Sequence, residues 1–307
     1  MFFYVLKRLA EMIPVLLVVV VATFFLAHAV PGGPFDKERP MPAEVKKQVE
    51  AYYGLDQPLH VQLGRYIVNL AQGSLGPSMK YPGWTVNQII GERIPVSAII
   101  GTLALLVAIL VGIPIGVVAA SRPNTLMDRI PMGLALAGIC VPSFVFGPLL
   151  VLVFSLWLGW LPPCGWGSIS HLILPALALG LITAAPLARL TRGELMEVYT
   201  LDYIRTARAK GVSPWGVRFV HALRNGILPV VTYLGPAAAA LVSGAFVIES
   251  LFDIPGVGRL FVTAVINRDV PVILGTTILY AVALLVLNLV ADLAKAALDP
   301  RTARDRR

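Results

Sequence analysis

Residues 201–229 read LDYIRTARAKGVSPWGVRFVHALRNGILP, a long charged stretch between two apolar runs. Its first part predicts a short helix from about Leu201 to Lys210. Gly211 then ends this helix, because glycine readily takes the left-handed conformation that follows many helix C-termini. A helix of this length is marginal in isolation. We therefore expect it to dock onto something outside the membrane.

A second helix is predicted to follow the glycine turn. Ser213 suits its N-cap, and Pro214 suits its first turn. The Asn225-Gly226 pair is expected to end it before the next apolar run begins. Its apolar residues recur every four positions and form one stripe, which consists of Trp215, Phe219 and Leu223. The stretch thus reads as two short helices held between two membrane spans.

Composition indicates a membrane protein. The 307 residues are 57% hydrophobic and only 14% charged, whereas a soluble domain carries about a quarter charged residues. The stretch from Ile130 to Ala188 has no Asp, Glu, Lys or Arg and is long enough for two spans of about 20 residues each. The net charge of +8 could indicate nucleic-acid binding, but basic loops on the inner side of a membrane explain it better.

Hydropathy predicts six spans, at about Leu9–Val30, Val96–Ala120, Pro131–Trp160, Leu172–Leu190, Ile227–Ile248 and Val270–Val290. The first could instead be a signal peptide, since Ala27-His28-Ala29 resembles a cleavage site. Its apolar core, 12–27, is long for that role, which favours a retained helix. Small residues at Gly112 and Gly116 predict a close helix contact, either in a dimer or within the bundle.

Lys and Arg counts predict the orientation. With the N-terminus inside, inner segments hold 16 of these residues and outer segments hold nine, seven of them in the long 31–93 segment. Long segments count little in this rule. We therefore expect both termini in the cytoplasm, with Thr125 and Gly211 inside and Gly83 and Cys164 outside.

The sequence lacks the motifs of an ATPase or an ion-coupled carrier. It contains no Gly-Lys dipeptide and hence no P-loop. The cores of spans 2, 3, 5 and 6 hold no Asp, Glu, Lys or Arg, although ion-coupled carriers usually need ionisable groups there. The four histidines lie in separate segments without metal-ligand spacing. A secondary transporter and a structural membrane scaffold remain the rival classes.

Several motifs resemble one transporter family. YIRTARAKG, HALRN and ILPVVT resemble the cytoplasmic loop of permease subunits of binding-protein-dependent ABC importers, in the oligopeptide, dipeptide and nickel branch. PGGPF, GLDQP, SLGPS and LFDIPGVGRLF resemble outer segments of the same branch. The resemblance implies an all-α membrane protein with six transmembrane helices and the type I importer permease fold. It places helix 1 at 1–30, a small extracytoplasmic subdomain at 31–93, a five-helix domain at 94–298 and a basic tail at 299–307.

The resemblance also implies site residues. The loop 191–226, called the coupling loop below, would insert a helix into a cleft of an ATPase subunit. The residues implied in that contact are Tyr203, Arg205, Thr206, Ala207, Ala209, Lys210 and Gly211. Arg205-Thr206-Ala207 stands where the general family motif has Glu-Ala-Ala. Outside, the residues implied in contact with a binding protein or the pathway are Phe252, Pro255, Gly256 and Gly258, and plain packing is the alternative for them.

The implied function is half of a translocation pathway for oligopeptides or dipeptides in a bacterial cytoplasmic membrane. The implied partners are a second homologous permease subunit, two ATP-binding cassette ATPase subunits, an extracytoplasmic solute-binding protein, the peptide substrate and membrane lipid, without nucleic acid. ATP hydrolysis would belong to the ATPase subunits, and neither a cofactor nor a metal is expected in this chain. The alternative is an importer of a nickel chelate or another small solute.

Overall fold

The structure, a computed structural model, describes residues 2–29 and 42–298. The predicted tail, 299–307, and residues 30–41 of the predicted outer segment lie outside the described residues. Within the described part the regular structure is helical, with one isolated β-bridge between Pro77 and Thr85. The α-helices are α1 Phe2–Ala29, α2 Ala43–Tyr53, α3 Leu59–Ala71, α4 Val86–Ser121, α5 Leu126–Cys140, α6 Ser143–Leu150, α7 Ile169–Tyr199, α8 Asp202–Ala209, α9 Leu223–Leu251, α10 Val257–Asn267 and α11 Val270–Leu298. Two π-helical segments, Val151–Trp157 and Gly216–Ala222, continue α6 and lead into α9.

The predicted number of spans agrees with the helices. Segments long and apolar enough to cross a membrane are Val5–Ala29, Val86–Ser121, Ile169–Tyr199, Gly216–Val242 and Val270–Lys295. The pair Leu126–Cys140 and Ser143–Trp157 passes the same test together and makes a sixth span if counted as one. The described part of the chain thus has five spans, or six with the broken pair.

The third predicted span is broken into two helices at Pro142, one of its two prolines, Pro142 and Pro148, at which the sequence predicts a bend or a kink. Its two halves meet at 113°, and Val141 between them is extended, with φ −87° and ψ 118°. Pro142 follows, and a residue before proline disfavours helical geometry. Pro148, by contrast, lies inside α6 without ending it. A hydropathy average shows the apolar run but not the position of this break.

The predicted end of the second short helix, at Asn225-Gly226, is wrong. The chain stays helical from Pro214 through the π segment into α9, so no helix ends at Asn225-Gly226. Gly226 is buried instead, and a Cβ there would lie 3.0 Å from Leu195 Cδ2 on α7. The glycine lets two helices approach, a role that the sequence pattern does not distinguish from a helix end.

The described residues fall into two compact units, one formed by 98–254 with 283–298 and the other by 2–97 with 255–282. In the first unit, α4 packs on α7 through the predicted small residues. A Cβ on Gly112 would lie 2.7 Å from the Ala184 carbonyl oxygen, and one on Gly116 would lie 2.6 Å from that of Ala188. Packing within the chain therefore accounts for both glycines.

The second unit has its own apolar core, made by Val86, Ile89, Ile90, Leu260, Ala264 and Val272. The three shorter helices α2, α3 and α10 lie in this unit, and α3 and α10 were not predicted. A buried carboxylate, Asp269, accepts hydrogen bonds from the Ser78 hydroxyl and from the backbone N–H groups of Met79, at 3.2 Å, and Lys80, at 3.3 Å. These bonds tie residues 78–80 to the chain just after α10.

Candidate functional site

The short helix of the coupling loop, α8, covers Asp202–Ala209, close to the predicted 201–210. Ile204 is fully buried and Ala207 is 7% exposed, while Tyr203 is half-buried. Ile204 belongs to a buried cluster with residues from α4, α7 and the π segment, and Tyr203 packs against this cluster. Its other buried members are Val117, Ala120, Leu195, Val198, Val217 and Ala222. Tertiary packing therefore stabilises a helix that is too short to persist alone.

The opposite side of α8 forms an exposed ridge. Its members are spaced at i, i+3, i+4 and i+7, so they share one helix face, and they are Asp202, Arg205, Thr206 and Ala209. The Arg205 side chain is 73% exposed and its Nη1 lies 3.4 Å from Asp202 Oδ1. An ion pair this exposed contributes little to stability. The ridge therefore offers charged and polar groups to a partner without being needed to hold α8 in place.

Gly211 ends α8 in a complete Schellman motif. The Gly211 N–H donates to the Arg208 carbonyl at 3.0 Å, and the Val212 N–H donates to the Ala207 carbonyl at 3.2 Å. Gly211 has φ +78°, in the left-handed region, as the sequence predicted. A Cβ there would meet no atom within 4 Å, so any cost of a side chain comes from the backbone conformation alone.

The chain after the turn is capped and held to α8. Ser213 acts as the predicted cap, since its hydroxyl oxygen accepts the Gly216 N–H at 3.2 Å. The Tyr203 hydroxyl donates to the His221 carbonyl at 3.3 Å and accepts from Asn225 Nδ2 at 2.9 Å. Tyr203 thus joins the start of α8 to the segment that leads into α9, a structural role for a residue that the resemblance had placed in the ATPase contact.

The predicted stripe is only partly an internal face. The rings of Trp215 and Phe219 lie 4.0 Å apart between centroids. Phe219 and Leu223 pack against the cluster under α8, but Trp215 is 67% exposed. The large indole therefore remains available to lipid or to a partner.

An ion pair fixes α7 just before the coupling loop turns into α8. Arg192 Nε and Nη2 donate to the two carboxylate oxygens of Asp128 at 2.5 and 2.7 Å. The Asn124 N–H donates to the same carboxylate at 2.8 Å, and Asp128 is 2% exposed. The pair joins the first turn of α5 to α7, and the bond from Asn124 adds the loop after α4. Asp128 and Arg192 are 64 positions apart, and no local pattern in the sequence connects them.

The residues that the resemblance implied in the coupling loop therefore divide by exposure. Arg205, Thr206, Ala209, Lys210 and Gly211 are exposed, while Tyr203 and Ala207 face the interior. Asp202, an exposed member of the ridge, was missed, although its spacing from Arg205 and Thr206 could have revealed it.

The outer residues lie mostly inside their own units. In the first unit Phe252 is 1% exposed, and its carbonyl accepts the Gly165 N–H at 2.8 Å. In the second unit Gly256 and Gly258 are buried and Pro255 is half-buried. Val257, next to these glycines, donates its N–H to the Ser97 hydroxyl oxygen at 2.8 Å. Contact of the four residues with a binding protein stays a prediction. In the structure these residues pack within their own units.

Metal chemistry has no support among the described residues, where no three His, Cys, Asp or Glu side chains are grouped to hold an ion. What the described chain presents instead is a rigidly seated short helix with one free, charged face. This arrangement defines a class: a multi-pass helical membrane protein with a short, exposed and charged helix between two of its long helices.

The chain belongs to the family of binding-protein-dependent transport system inner membrane components, whose match covers residues 112–304. It is 42% identical over 300 residues to the oligopeptide transport system permease protein OppB of Salmonella typhimurium, covering 97% of this chain and 98% of that one. It is 43% identical over 298 residues to the dipeptide transport system permease protein DppB of Bacillus subtilis, covering 97% of each. The family resemblance read from the sequence is thereby confirmed.

A solved structure shares the fold. A chain of the MetNI methionine ABC transporter, crystallised in inward-facing conformations, superposes with a TM-score of 0.59 at 16% identity. The match covers 69% of this chain and 97% of that one. The protein therefore has the ABC importer permease fold that the resemblance implied, and it is a multi-pass inner-membrane protein.

Proposed function

We propose that this chain is the permease subunit of an ATP-driven importer for oligopeptides or dipeptides that a solute-binding protein delivers. The observation that carries the proposal is the 42% identity, across 97% of the chain, to a protein named as an oligopeptide transport permease. The dipeptide permease at 43% identity supports the same substrate class. The chain would form half of the pathway, and a second, homologous permease subunit would form the other half.

ATP hydrolysis is assigned to two partner ATPase subunits. The sequence supports this, because it has no Gly-Lys dipeptide and so lacks a phosphate-cradling P-loop. The exposed ridge of α8 is the proposed contact through which those subunits act. The packing of α8 through the buried Ile204 suits this role, because a helix packed on both α4 and α7 can transmit a displacement to both.

The exposed charge also suits docking. Arg205 and Asp202 form only a weak surface pair, so both can be recruited by charged groups of a partner at little cost. The ridge itself carries both signs of charge, so it can pair with acidic and with basic side chains of an ATPase cleft.

The proposed orientation puts both termini and the coupling loop in the cytoplasm. The Lys and Arg distribution supports it, since short inner segments are far richer in these residues than short outer ones. The segment 31–93 then lies outside, where it would meet the binding protein.

One labelling experiment tests the docking and the orientation together. Ala209→Cys is made in a chain whose two native cysteines, Cys140 and Cys164, are replaced by serine. A membrane-impermeant thiol reagent should not reach position 209 in intact cells. It should reach it in inverted vesicles stripped of ATPase subunits, and rebound ATPase should slow that labelling at least tenfold.

Thr125→Cys is the matched control, because Thr125 is exposed and predicted to be inside but lies off the ridge. It should be labelled in inverted vesicles with or without ATPase. Labelling of position 209 from outside would reject the orientation. Equal labelling of position 209 with and without ATPase would reject the ridge as the docking surface.

A further inference from the structure

An open groove of about 560 Å³ lies beside α8 in the first unit. Its walls come from the end of α4, the end of α7 and the turn after α8. The apolar part of the lining includes Ala120, Met196, Val212, Pro214 and Val217. The charged lining residues are Arg208 and Arg218, and none of the described lining residues is acidic.

Both guanidinium groups are available to a ligand. Within the described residues neither lies within ion-pair distance of a carboxylate. Arg208 Cζ lies 5.8 Å from the centroid of the Tyr199 ring, and Arg218 lines the same groove. Two full positive charges therefore line one groove. They outweigh the partial negative charges of the nearby helix C-termini, each about half a unit.

Tyr199 adds an unused donor. It lines the groove, and its hydroxyl is buried with no hydrogen-bond partner among the described residues. An unpaired buried hydroxyl is unfavourable, at about 1–3 kcal/mol, unless water or a ligand satisfies it. An oxyanion placed between the two arginines would accept that hydrogen bond.

The groove lies where two candidate membrane spans end. These are Val86–Ser121, which is apolar up to Ala120, and Ile169–Tyr199, whose last turns after Leu190 are polar. Trp215, next to the lining residue Pro214, is 67% exposed, and tryptophan favours the level of the lipid headgroups. A phosphate at this depth is most readily supplied by a phospholipid.

We propose that this groove binds the phosphate group of an anionic phospholipid, with Arg208 and Arg218 holding the phosphate and the apolar wall holding the glycerol end of the lipid. Arginine suits this task because its planar fork pairs with phosphate oxygens in a bidentate manner. Such a lipid would lie between the turn after α8 and the ends of α4 and α7 and contact all three. It would thereby stabilise the position of the coupling loop on α4 and α7.

A protein partner is the less suitable occupant. The ridge proposed for the ATPase consists of Asp202, Arg205, Thr206 and Ala209. Arg208 borders this ridge, because it lies three residues from Arg205. The rest of the groove, including Arg218, comes from the ends of α4 and α7 and from the chain after α8, so the groove extends away from the ridge.

The test uses the full chain, purified in a phosphate-free detergent. Dihexanoyl phosphatidylglycerol and dihexanoyl phosphatidylcholine are titrated separately, and bound lipid is counted by native mass spectrometry. Wild type should bind phosphatidylglycerol at least tenfold more tightly than phosphatidylcholine. The double variant R208Q/R218Q should lose about 25-fold in phosphatidylglycerol affinity, from a loss of about fivefold for each arginine near an anionic lipid.

Matched variants separate the groove from net charge and from folding. R65Q/R224Q removes the same charge from exposed arginines outside the groove and should keep wild-type affinity. Tyr199→Phe keeps the ring and should lose about fivefold, the effect of one hydrogen bond. All three variants leave the buried cluster under α8 unchanged.

Three outcomes would overturn the proposal. The first is equal phosphatidylglycerol affinity for wild type and R208Q/R218Q. The second is displacement of the lipid by an equal concentration of inorganic phosphate, which would make free phosphate the ligand. The third is displacement by added ATPase subunit, which would assign the groove to the protein partner. The binding is measured without transport or ATP, so these results do not depend on whether peptides are the substrate.

Discussion

The coupling loop and the segment 252–269, called the outer segment here because it is predicted to lie outside, have similar element orders but differ in how much of their short helix is buried. Each places a short helix and a glycine-bearing turn between two long helices. In α8 two residues are buried, and a ridge of four is exposed. In α10 Val257, Gly258, Leu260 and Ala264 are buried. Most of α8 is therefore exposed, whereas α10 packs into the core of its own unit.

Composition explains the difference. α8 reads DYIRTARA, with three charged residues in eight, whereas α10 reads VGRLFVTAVIN, with one in eleven. Charged side chains are costly to bury without partners, so α8 keeps only a narrow apolar side for packing. The comparison teaches that a short helix between spans stays exposed on one side when its charge prevents it from packing on both sides.

The largest expected effect separates the two regions by stability. Phe252→Ala should destabilise the protein by about 3–5 kcal/mol, the cost of emptying a buried phenylalanine site, because Phe252 is 1% exposed. Trp215→Ala, at a 67% exposed residue near α8, should change stability by less than about 0.5 kcal/mol. Thermal unfolding of both variants in detergent measures the difference. Equal losses would mean that the coupling loop is packed as firmly as the outer segment.

A smaller effect should distinguish general backbone strain at Gly211 from loss of the contact with the ATPase subunits. Gly211→Val forces a β-branched residue into the left-handed region, at about 1–2 kcal/mol. Through the turn it should distort the ridge, so ATPase co-purification and peptide uptake should fall about fivefold or more, while membrane levels stay normal.

Gly73→Val is the control for that strain. Gly73 also follows a helix and has φ +77°, and a Cβ there would meet no atom within 4 Å, as at Gly211. It should suffer the same backbone cost without loss of ATPase. If both variants lose uptake equally, the effect of Gly211→Val is one of stability and not of coupling.

The smallest expected effect is on stability, and it comes from the hydrogen bond between Tyr53 and Ser78 near the end of the outer segment. The Tyr53 hydroxyl donates to the Ser78 carbonyl at 3.1 Å, beside Asp269. Burial, and then the charges of Tyr52 and Asp269, raise the pKa of Tyr53 above its usual value. Because the folded pKa is raised, this contribution is complete below about pH 10 and is lost as the pH rises through the folded pKa.

Tyr53→Phe should therefore lower stability by about 0.5–1.5 kcal/mol at neutral pH, the value of one hydrogen bond. The difference between variant and wild type should shrink above about pH 10. Thermal midpoints at about pH 8 and about pH 10.5, on either side of the usual tyrosine pKa, measure it. A difference that is constant with pH would show that the hydroxyl takes no part.

Much of the fold follows from local sequence. The long apolar runs predicted the spans, and the spacing of Gly211 and Ser213 predicted a left-handed turn and a cap that the structure contains. The choice of Pro142 over Pro148 as the place of the break, the continuity through Gly226 and the helix α10 were not predicted. In each case a Pro or Gly has two structural uses, and its neighbours in space determine which applies.

The sequence by itself determined that this chain is a membrane-spanning helical protein, because hydropathy, loop charge and local turn chemistry depend on nearby residues. Its motifs, by their resemblance to a known family, indicated a permease subunit. Only the tertiary structure decided which side of α8 is free, that Tyr203 and Ala207 face inward, and that Asp128 meets Arg192 across 64 positions. It alone brought Arg208, Arg218 and Tyr199 to one groove. The reason is that burial and pairing depend on contacts between residues far apart in the chain, which no local pattern encodes.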